Sequence, residues 1–287
     1  MTFLAAFTYD VWQYQQYLYP KTSAGGCVRF LGSFTNKNCG SWYVGAGTYC
    51  YGSPSIKLPG NYFAYANVSN ICLAANQFAG CTLQASGAYH LLLNGYDQNC
   101  FGVSGVGSTP VISSPTPASL RVTGNGNNSF KAKFTGAAGF TMAGSGAYAY
   151  VAGENTTTGA LAVESGTLSL TNGTAWSGTN VAIRGGTLAV CVDAAKKGEV
   201  GAAFSRKTHL AIAAANATLA IAEGRTETVR TLTVGEEFVP AGVYGGSEAQ
   251  AAGLVDAEHT LDVLSGKGLL FVLRSSDEPL GVMLIVR

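Results

Sequence analysis

The stretches LAVESGTLSL (residues 161–170) and VAIRGGTLAV (residues 181–190) carry one pattern at an offset of twenty positions. In the first, Leu161 and Val163 flank Ala162, Glu164-Ser165-Gly166 makes a corner, and Leu168 and Leu170 flank Ser169. Period-two alternation places the four apolar side chains on one face of extended chain. The second stretch repeats this with Val181, Ile183, Leu188 and Val190 facing in and Arg184-Gly185-Gly186 as the corner. Each copy reads as a strand, a tight corner and a strand.

A third copy, LAIAAANATLAI (residues 210–221), has two extra residues in its corner. Its alanines also favour a helix, but its Thr-Leu-x-Ile ending matches the two earlier strands and decides for strand. Fainter echoes occur at 47–51, 81–93, 140–151, 231–234 and 261–272. A unit this short cannot close a core; it becomes stable when copies stack and share one apolar interior. The fold predicted is all-β, a parallel β-helix or β-solenoid of short stacked coils. Coils ~4.8 Å apart put Thr167 beside Thr187 and Leu168 beside Leu188. Ladders of like residues suit Thr, Val, Ile and Leu, whereas like charges would repel.

Composition agrees. Apolar residues make up 47% of the 287-residue chain, glycine supplies 38 positions, and charged residues only 11%, about half the usual share. Residues 1–150 hold seven Lys or Arg against Asp10 and Asp97, and the remainder ten basic and fourteen acidic residues. Neither half carries the clustered basic stripe that phosphate neutralisation requires, so nucleic acid is excluded as a partner. There is no run of eighteen apolar residues and hence no expected membrane-spanning helix. The opening MTFLAAFTYD lacks the basic region of a secretion signal.

Six of the seven cysteines, Cys27, Cys39, Cys50, Cys72, Cys81 and Cys100, fall in one region, and Cys191 has no obvious partner. An even, confined set is compatible with three disulfides in any of fifteen pairings, or with buried thiols. No C-x-x-C occurs and no His stands at zinc-ligand spacing, so no metal or other cofactor is expected. Pro110–Pro117 is the one Pro/Ser-rich stretch, a linker or a distorted turn between coils. It divides a Cys- and aromatic-rich section of early, irregular coils (residues 1–112) from a cleaner solenoid (residues 113–287). Residues 193–207, DAAKKGEVGAAFSRK, break the pattern as a loop or short helix leaving the stack.

Residues 159–190 resemble the autotransporter-associated β-strand repeat of large bacterial surface and secreted proteins. Further on, Pro240-Ala241-Gly242 leading into Val243-Tyr244-Gly245, followed by LSGKGLLFV, is similar to the terminal units of such proteins. The likeness covers residues 125–287 well and the first 120 by analogy. It implies a right-handed parallel β-helix on the bacterial exterior, with no family catalytic residues to carry over. No membrane β-barrel is expected within these residues, and GVMLIVR reads as one last strand.

Chemistry is sparse. His90, His209 and His259 are mutually isolated, and no nucleophile elbow, phosphate loop or calcium repeat occurs. A polysaccharide-acting enzyme needs clustered carboxylates, whereas Glu164 stacks toward Arg184 as an exposed ion pair. Trp42, Tyr43, Tyr49, Tyr51, Tyr62, Phe63 and Tyr65 are able to stack on sugar rings, although packing explains aromatics in a β core equally well. The expectation is a non-catalytic stalk or adhesin-like passenger at the cell surface, with surface glycans or a neighbouring cell as partner. The alternatives are a carbohydrate-active enzyme and a glycan-binding module.

Overall fold

The computed structural model describes residues 2–3, 7–9, 17–18, 27–31, 34–36, 41–44, 47–52, 61–65, 68–86, 88–105, 110–126, 128–130, 132–150, 155–171, 176–191 and 203–276. They form a parallel β-solenoid of about 7 turns with one short helix, Ser247–Ala251. A long sheet runs along one side from the strand Thr2–Phe3 to Thr231–Val234, every neighbour in that path being parallel. A second side is built first by a five-stranded parallel sheet ending in Gly102–Gly105. Beside that strand lies Asn128–Phe130, which opens a six-stranded parallel sheet.

The predicted register holds residue by residue. Thr167 pairs with Thr187 and then Thr218, and Leu168 with Leu188 and then Leu219. Leu161 meets Val181 and then Leu210. The inward residues Leu161, Val163, Leu168, Leu170, Val181, Ile183, Leu188 and Val190 are all buried. The third copy is two strands, His209–Ile212 and Ala217–Ile221, so ladder pairing overrides the helix propensity of its alanines.

Stacking continues far upstream of the clear repeats. Cys50, Ile71, Leu92 and Ser113 are successive partners, twenty-one residues apart each time. The row one residue earlier, Tyr49–Asn70–Leu91–Ile112–Phe134, is wholly buried. Its one polar member, Asn70, donates from Nδ2 to the Tyr89 hydroxyl at 2.8 Å, satisfying an amide that would otherwise be costly to bury.

The Pro-rich stretch is neither linker nor turn. From Val111 onward it lies inside the twelve-residue strand Val111–Val122, where the register with Lys133–Met142 shifts between Ser114 and Ala118. Prolines have no N–H to give a ladder, so Pro115 and Pro117 occupy an exposed bulge that the sheet passes without breaking. At the far end the parallel order stops. Glu237–Phe238 turns back antiparallel on Thr231–Val234, and Gly242–Tyr244 lies antiparallel on Leu269–Val272, covering two strand edges. Tyr244, in the motif that resembles a terminal unit, donates its hydroxyl to the Pro240 carbonyl at 2.9 Å. The ending 277–287 lies outside the described residues.

Corners impose the tightest steric condition. Gly186 has φ +72°, its N–H donates to the Asn216 carbonyl at 2.6 Å, and a methyl there would collide with the Gly166 carbonyl of the preceding coil. Gly253 has a similar φ of +71° with open space around it. Gly253→Ala should therefore cost only the left-handed backbone penalty of about 1–2 kcal/mol. Gly186→Ala should cost clearly more, measured as the shift in urea midpoint at unchanged slope. Equal losses would mean that the coils are not in contact at this corner.

Candidate functional site

The sequence-derived candidates scatter over the solenoid. Cys72, Cys81 and Cys100 are buried thiols whose pKa values burial drives well up, making them inert core residues. Cys27 and Cys50 approach each other on adjacent strands, sulfur to sulfur 3.4 Å. Cys39 lies outside the described residues. Among the described residues no group of three His, Cys, Asp or Glu is placed to hold a metal ion. No described helix is long and apolar enough to cross a membrane.

Of the aromatic set, Tyr49 and Tyr51 point into the core, and Tyr51 stacks on Phe30 with ring centroids 5.6 Å apart. The backbone register pairs Trp42 with Tyr62 and Tyr43 with Phe63, but the side chains of Trp42, Tyr43, Tyr62, Phe63 and Tyr65 lie outside the described residues. His90 Nε2 and Ser113 Oγ are 2.6 Å apart, and partial burial lowers the His90 pKa. His259 sits on Asp256 at 2.7 Å near the C-terminal cap. The Glu164–Arg184 pair forms as expected at 3.3 Å. Arg121 joins from two coils away at 2.6 Å, so one carboxylate carries two partly exposed guanidinium groups.

Beside that triad the long sheet presents a groove of about 210 Å³ on its outer face. Its floor is the row Ala162–Ala182–Ala211, continued by Thr233. One flank is the parallel row Asn180–His209–Thr231, in which His209 Nδ1 and Thr231 Oγ1 lie 3.0 Å apart. Arg184 stands at the opposite margin. Phe238, on the returning antiparallel strand, closes one end and is 47% exposed. Among the described residues no carboxylate lines the groove. It joins His209, already singled out in the sequence, with Asn180, Thr231 and Phe238, which were not. The one sequence signal for it is alanine at outward positions of LAV, VAI and LAI, where a polar residue would be usual.

The pattern-breaking segment 193–207 lies mostly outside the described residues, but its two ends are held. Arg225 and Glu227 form a buried ion pair. Arg225 Nη1 donates to the Cys191 carbonyl at 3.2 Å, and Glu227 Oε2 accepts from the Ala203 N–H at 3.2 Å. The pair thus clasps the chain where it leaves and where it rejoins the stack. Trp176 pairs with Phe204 through the backbone just beyond and packs against Phe134, with ring centroids 5.2 Å apart.

These features define a class by fold alone: a parallel β-solenoid with an outward groove. Comparison with known proteins adds no relative, since no family model, no curated protein and no solved structure matches the chain.

Burial raises the pKa of Glu227, opposed by hydrogen bonding and charge from Arg225. A raised carboxyl pKa means the fold takes up this proton more readily than the unfolded chain, so the group adds stability as pH falls through its folded value. Acidification from pH 7 should therefore raise the wild-type unfolding midpoint relative to that of Glu227→Gln, read by thermal melts at matched ionic strength. Glu227→Ala, which leaves Arg225 buried without its partner, should cost about 3–5 kcal/mol.

Proposed function

We propose that this chain is a non-catalytic segment of a bacterial surface or secreted protein, a rigid β-solenoid stalk that binds surface glycans through its outer groove. The observation that carries the reading is the groove itself. Its alanine floor is flat and uncharged, its flank repeats hydrogen-bonding side chains rung after rung, and an exposed aromatic ring stands at one end. Rungs ~4.8 Å apart offer a repeating ligand repeated contacts, and Phe238 offers a face on which a sugar ring stacks.

The resemblance of residues 159–190 and 240–245 to autotransporter-associated repeats supports the same setting. It implies right-handed winding and display outside the cell. The carboxylate beside the groove fits binding better than hydrolysis: Glu164 is engaged by two arginines, a poor arrangement for a general acid or base.

Titration of wild type, Ala182→Trp and Phe238→Ala against bacterial and host-surface polysaccharides, first on an array and then by calorimetry, tests the reading. Wild type should bind, Ala182→Trp should lose binding by filling the floor, and Phe238→Ala should weaken it about three- to tenfold, the loss of one ring contact. Binding that is absent, or indifferent to both substitutions, rejects the groove as a glycan site. New reducing ends or unsaturated sugars in the incubated polysaccharide would place the chain among carbohydrate-active enzymes instead.

A further inference from the structure

Far from the groove, the outer face of the long sheet carries a second constellation. Cys27 opens the strand Cys27–Phe30, and Arg29 follows two positions on, its side chain on the same face. Across the ladder, Cys27 sits opposite Thr48 and Arg29 opposite Cys50. Arg29 Nε donates to Cys27 Sγ at 3.3 Å, and the Cys50 thiol donates to the same sulfur at 3.4 Å. On the other side of Arg29 the ladder places Thr2, which does not titrate. Cys27 is partly exposed, Arg29 exposed and Cys50 buried.

We propose that Cys27, Arg29 and Cys50 form a thiol-redox site: Cys27 is an attacking thiolate held by Arg29, Cys50 is its resolving thiol, and the substrate is a low-molecular-weight disulfide. The ordering of the two sulfurs follows from their surroundings. Burial alone would raise the Cys27 pKa, but the hydrogen bonds from Arg29 and Cys50, the guanidinium charge and, last, the charge of the chain's amino terminus outweigh it and hold the thiol below its ordinary value. Cys50 goes the other way, pushed up to about 11 by burial and then by Cys27. One sulfur is thus prepared as the anion and the other as the proton donor, the division of labour that reactive cysteine pairs need.

The chemistry balances. Cys27 thiolate attacks one sulfur of RS–SR, forming a mixed disulfide and expelling RS⁻. Cys50 loses its proton to solvent and attacks the Cys27 sulfur, forming the Cys27–Cys50 disulfide and expelling the second RS⁻. The protein dithiol is oxidised by two electrons and RS–SR is reduced to two thiols. The two cysteines are two positions out of register on adjacent parallel strands, which separates their Cα atoms by roughly 8 Å. A relaxed disulfide spans less than about 7 Å, so closure requires the strand end at Cys27 to shift. Such a bond is readily reduced again, which suits a reversible couple rather than a permanent staple.

The test uses the full chain, pre-reduced and freed of reductant. Alkylation of Cys27 by iodoacetamide, followed across pH by peptide mass spectrometry, should show a midpoint below that of an ordinary thiol. Arg29→Gln, at an exposed side chain that the core does not need, should move that midpoint upward and slow the reaction at neutral pH about tenfold per unit moved. Treatment with one equivalent of an aromatic disulfide such as dithiobis(nitrobenzoate) should release two equivalents of thiolate and yield a Cys27–Cys50 peptide. Cys50→Ser should stop at the mixed disulfide on Cys27. An unchanged alkylation profile in Arg29→Gln, or Cys27 recovered in a disulfide with any cysteine other than Cys50, overturns the assignment.

Discussion

Everything in this molecule depends on parallel, in-register stacking. A parallel ladder sets each residue above its counterpart in the neighbouring coil, so every position must tolerate something like itself on either side. Inward positions meet this with Leu, Val and Ile; the outward Thr167–Thr187–Thr218 row meets it with hydroxyls. Stacked charges are accommodated where signs alternate between coils, as Arg121, Glu164 and Arg184 do. Corners meet it with glycine, because backbone there passes within reach of the backbone below.

The same constraint explains what was legible in the sequence. Residues 161–190 reveal their fold because two coils of nearly equal length carry the same residue types at the same places, and every pairing read from them is present. Upstream the spacing is as regular, yet the ladder Tyr49–Asn70–Leu91–Ile112–Phe134 mixes aromatic, amide and aliphatic members. Identity varies there while geometry does not, so similarity of letters undercounts the coils. Pro115 and Pro117 misled because a proline pair reads as a break, while a bulge absorbs it without ending the strand.

Function was less legible for a related reason. The groove's floor consists of alanines, which carry no chemical signature, and its end wall, Phe238, comes from a reversed strand that no repeat predicts. Cys27 and Cys50 are visible as cysteines, but only the stagger of two strands shows that they share a face with Arg29 between them. The clasp of Arg225 and Glu227 on Cys191 and Ala203 is likewise tertiary: Arg225, just ahead of the strand Thr226–Val229, and Glu227 within it hold the ends of a segment that begins over thirty positions earlier.

The returning strands at the C-terminal end have a consequence for assembly. A parallel stack presents on its last rung a row of backbone donors and acceptors that fits another rung of the same polarity, which is the geometry by which stacked β-structures elongate without limit. Folding Glu237–Phe238 back antiparallel occupies that row at Thr233 and Val234 with a strand of reversed polarity, as Gly242–Tyr244 does at Leu270–Val272. A second molecule arriving at these positions finds them already paired to a strand of the opposite direction. Along these paired positions strand direction itself works against the parallel stacking by which fibres elongate.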